Sequence, residues 1–206
     1  MKTIIIVSIS IVLLFFAKNL FSVVIENNYT TIKKIENIEI RQYKNSIYAS
    51  YIPKNEKERN NSFRKVAAYI FGDNDNNEKI SMTSPVVIKI HNDYEMAFLM
   101  PKKYNLENLP TPDNKEINIY TEPGTLKACI SYSGYTNNST ENKKINELKK
   151  VLLKHNFTAI VGETYHLYKN KKGTFLSMIE PKQWEMEYIA SFRLSANDIW
   201  EKINKT

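Results

Sequence analysis

The thiols and imidazoles of the chain limit its chemistry before any structural element is assigned. Its 206 residues contain one cysteine, Cys129, and three histidines, His91, His155 and His166. A single thiol excludes an intramolecular disulfide, a Cys-x-x-Cys redox pair and the Cys-x-x-Cys-His string of covalent haem attachment. A structural zinc site needs four clustered ligands, and these four residues are scattered. The five glycines, Gly72, Gly124, Gly134, Gly162 and Gly173, form neither a P-loop nor a Gly-x-Gly-x-x-Gly string, and there is no Gly-x-Ser-x-Gly elbow. Aromatic side chains are abundant, at 12% of residues with 13 tyrosines. Such a set suits a ring-rich core or a ring-lined pocket.

The elements that must position these groups follow from apolar periodicity. Ile38 and Ile40, then Ile47, Ala49 and Tyr51, alternate with polar residues as half-buried strands do. Lys44-Asn45-Ser46 between them predicts a hairpin turn. Phe63, Val66, Ala67, Ile70 and Phe71 fall on one stripe of an amphipathic helix, and Gly72 stands where a helix ends in positive φ. Two strands are expected next, over residues 79–90 and along Tyr94-Met96-Phe98-Met100. The second half repeats the order. Ile117 and Ile119 open a strand, Pro123-Gly124 turns it, and Leu126, Ala128, Ile130 and Tyr132 return. A helix over about residues 141–155 is expected to be capped by Ser139 or Thr140. Strands over 157–169 and along Trp184-Met186-Tyr188-Ala190-Phe192 close the series. Ile38 aligns with Ile117 and Ala49 with Ala128, so a ββαββ unit occurs twice. The expected fold class is α+β, with eight antiparallel strands and two helices.

Residues 1–22 read as an address. Met1-Lys2-Thr3 precedes an apolar run over residues 4–17, followed by Lys18-Asn19. A short positive start and a run of this length match a secretory signal peptide and fall short of the ~20 apolar residues of a spanning helix. The expected organisation is therefore a signal peptide or N-terminal anchor over 1–22, one folded domain over 23–194, and a short tail over 195–206. The expected localisation is export, periplasmic or secreted, or retention at a membrane by the N-terminal segment. The 29 Lys and Arg exceed the 22 Asp and Glu, for a net charge of +7. The lysines are dispersed and no nucleic-acid motif accompanies them; a solvated basic surface accounts for them as well as an anionic partner does.

Several strings resemble one known family. Tyr69-Ile70-Phe71-Gly72 with Ile80-Ser81-Met82-Thr83-Ser84-Pro85-Val86 resembles the signature of the SOUL haem-binding proteins. So does Phe98-Leu99-Met100-Pro101-Lys102-Lys103-Tyr104, running into Leu109-Pro110-Thr111-Pro112. Ile38-Glu39-Ile40-Arg41-Gln42-Tyr43 resembles the family's first strand, and Ala128 with Ser131-Tyr132-Ser133-Gly134 a middle one. The resemblance covers about residues 29–169, and the chain departs from the pattern after residue 170. It implies a distorted eight-stranded barrel with two flanking helices that binds haem or another tetrapyrrole non-covalently, without catalysis. The plan is also similar to that of gyrase-inhibitor-like effector-binding domains.

The resemblance directs attention to the first helix and the segments beside it. Carried onto this chain, it implies Phe63, Val66, Ala67 and Ile70 as the apolar face toward the ring, with Arg64 and Lys65 for the propionates. Plain core packing of the stripe and solvated helix charges at Arg64 and Lys65 are the ordinary readings of the same residues. Met82 belongs to the family string. Among the histidines, His91 falls in an expected turn and His155 at a helix end, where a cation suits the dipole. His166, between Tyr165 and Tyr168, is the best placed to meet iron. Three functions are consistent with this reading. One is an exported tetrapyrrole buffer or carrier. Another is an effector-binding or enzymatic domain for a different hydrophobic small molecule, with Glu163 or Tyr165 in its pocket. The last is a membrane-tethered interaction protein.

Overall fold

The computed structural model describes residues 24–25, 28–90, 92–134, 137–157, 159–170 and 186–194. The expected leader, His91 and the tail over 195–206 lie outside these residues. The strands are β1 (Val24–Ile25), β2 (Tyr29–Ile35), β3 (Ile38–Tyr43), β4 (Ser46–Tyr51), β5 (Thr83–Ser84), β6 (Val86–Lys89), β7 (Glu95–Leu99), β8 (Asn118–Glu122), β9 (Leu126–Gly134), β10 (Ala159–Asn170) and β11 (Met186–Leu194). The helices are a single turn, α1 (Glu56–Arg59), then α2 (Ser62–Ile70) and α3 (Asn138–Lys154). Among the described residues no helix is long and apolar enough to cross a membrane. The class is α+β, as the repeated strand and helix periods predict.

Nine strands form one antiparallel sheet in the order β2-β3-β9-β11-β10-β6-β7-β4-β8, and β1 pairs in parallel with β5. Leaving β2 aside, the order is the same from either end once each strand is exchanged for its counterpart in the other unit. β3 exchanges with β8, β9 with β4, β11 with β7 and β10 with β6. The register obeys the same rule. Glu39 pairs with Cys129, and a shift of 79 residues in each partner turns that pair into Asn118 with Ser50, which also pair. The ββαββ duplication is therefore a pseudo-twofold fold, with its axis between β6 and β10.

Two expectations fail at the corners of this arrangement. The hairpin across Lys44-Asn45-Ser46 does not form, because β3 pairs with β9 and β4 with β7 and β8. Each unit instead exchanges its first strand with the other, and the two corners cross in contact. Tyr43 N–H donates to Thr125 O at 2.8 Å and Gly124 N–H donates to Asn45 Oδ1 at 2.7 Å. Gly124 is required there, since a Cβ would stand 2.7 Å from Tyr43 O. The closed eight-stranded barrel does not form either. Closure would need β3 to pair with β8, but the outer edge of β3 is taken by β2, a strand outside the duplicated unit. The sheet ends at β2 and β8, and β2 carries Lys33 and Lys34, charges that discourage pairing with another chain.

Smaller differences have local causes. The strand expected over 79–90 splits into β5 and β6 around Pro85, which has no N–H for a ladder; the Ser84–Pro85 bond is cis. α3 begins before Ser139, and its cap is Asn137, whose side chain accepts from Thr140 N–H at 3.0 Å. Gly72 ends α2 at φ 122°, as expected.

One sheet face is covered by α2 over one half and by α3 over the other. Ala49, Tyr51, Ile80, Val86, Phe98 and Met100 pack with α2, and Ile38, Ile40, Ala128 and Ile130 pack with Leu148, Val151 and Leu152 of α3. The opposite face is buried as well, holding Tyr43, Tyr48, Val87, Ala97, Leu99 and Cys129. With both faces covered at β4, β6 and β7, successive positions along these strands are core.

Candidate functional site

α1 and α2 set the position of the expected site. Asn55 caps α1 by accepting from Glu58 N–H at 3.0 Å, and Ser62 Oγ donates to Glu58 O at 3.2 Å, joining the two helices. The stripe of α2 then turns inward. Val66, Ala67 and Ile70 are buried, in one cluster with Met82, and the Phe63 ring lies 5.1 Å from that of Phe98 at a tilt of 53°. Five of the seven expected contact residues therefore come together, as the packing between α2 and the sheet. Arg64 is exposed on the outer side of the helix. His166 lies in β10 opposite Ile88 and Ala190, and its side chain lies outside the described atoms.

A recess of about 300 Å³ flanks the outer side of α2, lined by Asn61, Arg64, Lys65, Ala68, Tyr69, Asp73 and Asn114. Lys65 Nζ stands 2.7 Å from Glu116 Oε2 and 4.8 Å from the centre of the Tyr51 ring. Lys54 Nζ holds the other Glu116 oxygen at 2.5 Å. Hydrogen bonds from these two lysines bring the Glu116 carboxyl down to about 2. Tyr69 OH donates to Pro110 O at 2.7 Å, and burial pushes its phenol well up. The loop after α2 is fixed by buried Asn74, whose Nδ2 donates to Tyr69 O at 3.0 Å and Glu78 O at 2.9 Å while its Oδ1 accepts from Glu78 N–H at 3.0 Å.

A tetrapyrrole needs cations at its propionates, apolar surface along its ring and, for iron, an axial donor. Arg64 supplies an exposed cation and Lys65 a second, partly engaged one. The ring contact is less well served, because Asn61, Asp73 and Asn114 are polar and the apolar stripe faces the core. Among the described residues no group of three or more His, Cys, Asp or Glu is placed to hold a metal.

Two further features escaped the sequence reading. The inner sheet face carries a buried ion cluster in which Glu122 accepts from Lys89 Nζ at 2.5 Å and Lys127 Nζ at 3.0 Å. Lys89 and Lys127 are only 8% and 4% exposed. Burial raises the Glu122 carboxyl, but Lys127 and Lys89 outweigh it and hold the group below the usual carboxylate range. For Lys127 burial prevails over Glu122 and lowers the ammonium. The alternation of Leu126, Ala128 and Ile130 puts Lys127 on the other side of its strand, so the sequence carried no signal for this cluster. The second feature is a cleft of about 670 Å³ beside the β3–β4 corner. Much of its lining belongs to the Phe98–Tyr104 string, which the sequence reading singled out without assigning it a role.

The comparisons with known proteins bear on both halves of the fold. A model of the family described as SOUL heme-binding protein matches residues 24–177. No curated protein sequence matches the chain. Among solved structures, a hydrolase from Listeria innocua superposes with a TM-score of 0.51 at 8% identity, over 79% of this chain and 94% of that one. An uncharacterized conserved protein from Listeria innocua gives 0.52 at 9%, over 78% and 93%. The EcmrR–DNA complex gives 0.53 at 9%, over 82% of this chain and 58% of the other. At such identities the likeness is one of fold.

Proposed function

Because the chain belongs to the SOUL heme-binding protein family, we propose that it binds haem or a related tetrapyrrole non-covalently, as a buffer or carrier and not as a catalyst. The family match over residues 24–177 carries this reading. The lone, buried Cys129 is consistent with a ligand held by packing and charge. In the proposed site Arg64 and Lys65 face the propionates. Phe63, Val66, Ala67, Ile70 and Met82 form the packed support that fixes the helix, and His166 is the candidate axial ligand. Bound haem would supply its own iron chemistry; the chain's part is to orient the propionates and cover the ring. The partner is the tetrapyrrole and not nucleic acid. Export, with residues 1–22 as signal peptide or membrane anchor, completes the proposal.

The test is an absorption spectrum and native mass spectrometry of protein purified from its own host. A Soret band with the mass of a tetrapyrrole, and an N-terminus near residues 18–23, is the expected result. A preparation that carries no tetrapyrrole and also leaves added hemin unshifted overturns it. A second reading draws on the fold likeness to the Listeria innocua hydrolase, with Glu163 or Tyr165 acting on a hydrophobic small molecule. It requires that alanine at either position abolish turnover of an ester or amide substrate.

A further inference from the structure

The pseudo-twofold leaves one edge of the sheet unmatched. β3 and β8 are counterparts, and β2 covers the outer side of β3. Ile40 and Gln42 of β3 pair there with Lys33 and Thr30. Under the 79-residue shift their counterparts are Ile119 and Thr121 of β8. The same shift places the counterpart of β2 at 108–114, a stretch that contains Pro110 and Pro112. That stretch is drawn to the loop after α2 instead. Tyr69 OH donates to Pro110 O at 2.7 Å, and Asp75 N–H donates to Thr111 O at 3.0 Å. Among the described residues no strand therefore lies outside β8.

The register fixes where the backbone groups of β8 point. Met100 N–H donates to Ile47 O at 2.8 Å, so Ile47 turns its backbone groups toward β7. By the alternation of an antiparallel ladder, Ser46, Tyr48 and Ser50 turn theirs toward β8. Their partners there are Glu122, Tyr120 and Asn118. Ile119 and Thr121 are left with N–H and C=O groups directed out of the sheet. This open stretch has defined ends. Pro123, the next outward position, has no N–H, and Ile117 N–H donates to Asn114 O at 3.0 Å. Asn118 and Thr121 are exposed. β8 has none of the lysines or prolines that blunt a free edge, whereas β2 carries Lys33 and Lys34 at the other edge.

We propose that β8 is a self-association edge, pairing antiparallel with β8 of a second copy about a twofold axis through Tyr120. In that register Ile119 of each copy faces Thr121 of the other. The outward N–H and C=O groups of both residues in both copies are then satisfied by four hydrogen bonds, with none left over. The two Tyr120 residues meet as a non-hydrogen-bonded pair. Asn118 stands opposite Glu122 of the second copy, a neutral amide against a carboxylate, so no like charges are opposed. Such a twofold contact is self-complementary. An unrelated extended segment could use the same groups, but a second copy brings a stretch of the same length with the same ends. Two short strands bury little against the ~1,200–2,000 Å² of stable interfaces, so the dimer is weak and concentration-dependent. The inference is independent of the tetrapyrrole reading and uses none of its residues.

The test is sedimentation equilibrium of full-length protein over roughly 10 µM to 1 mM, the range of a weak contact, with amide hydrogen exchange at both ends of that range. The expected result is a rise toward twice the monomer mass. The Ile119 and Thr121 amides should exchange freely in dilute protein and become protected in concentrated protein, while the Tyr120 amide, bonded to β4, is protected in both. Thr121→Pro removes an outward N–H and so two hydrogen bonds per dimer, which should weaken association about tenfold. Thr121→Lys should weaken it by placing a charge on the edge. Ile32→Lys, at a position of β2 that is 44% exposed, should leave association unchanged. Unchanged thermal melting verifies that each variant folds, and Thr121→Lys carries the test if the proline variant melts early. The proposal is overturned if the chain stays monomeric at the highest concentration, which would leave the edge to an extended segment of another protein. It is equally overturned if a dimer forms and survives Thr121→Lys, or if the Ile119 and Thr121 amides are no better protected within it.

Discussion

Replacing Ile70 by alanine separates two roles for the α2 stripe, support and ligand contact. Ile70 is 1% exposed and packs in one cluster with Ala49, Tyr51, Val66, Ile80 and Met82. Truncating a buried isoleucine to alanine costs about 2–5 kcal/mol, a transfer loss plus the cavity left behind. Alanine is the better helix former by less than ~0.7 kcal/mol, so a net loss of about 3 kcal/mol is expected in ligand-free protein. For a domain of this size 1 kcal/mol moves the melting temperature by roughly 2–4 °C, which places the drop at roughly 6–12 °C. Urea unfolding should show a lower midpoint at unchanged slope, as for a pure stability change. Arg64→Ala, on the solvent side of the same helix, should stay within about 0.5 kcal/mol of the parent. Unchanged ligand-free melting of Ile70→Ala, together with a loss of hemin affinity, would refute the assignment of this stripe to the core.

Other perturbations probe the corners and the inner face. Gly124→Ala places a methyl group 2.7 Å from a backbone oxygen of the crossing corner and should cost about 1–3 kcal/mol in urea unfolding; a neutral result would mean that the corners part easily. Glu122→Gln leaves Lys89 and Lys127 buried against an amide and should cost about 3–5 kcal/mol, so melting unchanged from the parent would contradict the ion cluster. Acid should destabilise the fold in a definite window. Glu122 and Glu39 are held below the usual carboxylate range despite their burial, by Lys127 and Lys89 and by Arg41 respectively. Groups lowered in the folded state stabilise it above the unfolded value of about 4.3. Stability should therefore be level from pH 7 to 5, fall as pH drops below about 4.5, and fall less steeply in Glu122→Gln. Glu116, though brought down to about 2, faces water and adds little.

The duplication was legible because Ile38, Ala49, Ile117 and Ala128 keep their spacing and their strand period. The strand partners were not. Alternation tells which face a residue occupies, whereas the exchange of first strands depends on two corners, at Asn45 and Gly124, meeting 79 residues apart. The α2 stripe was legible as an amphipathic helix, yet periodicity cannot distinguish a face turned to a core from one turned to a ligand. The packing of Phe63 on Phe98 and the burial of Val66, Ala67, Ile70 and Met82 separate that face from exposed Arg64. Lys89 and Lys127 read as outward residues of half-buried strands. They are buried because both sheet faces are covered, and Glu122, 33 residues along the chain from Lys89, balances them. The cleft was hidden for a similar reason, since its lining joins Asn28, the β3–β4 corner and the 101–107 segment, which no local pattern connects.

Non-covalent tetrapyrrole binding is tested most directly by titrating purified, ligand-free protein with hemin and following the Soret region. Saturation at one equivalent is predicted, with a shifted band that acid acetone removes from the protein and that weakens when Arg64 and Lys65 are both replaced by alanine. A linear, unsaturated rise identical to that of hemin in buffer would contradict the account.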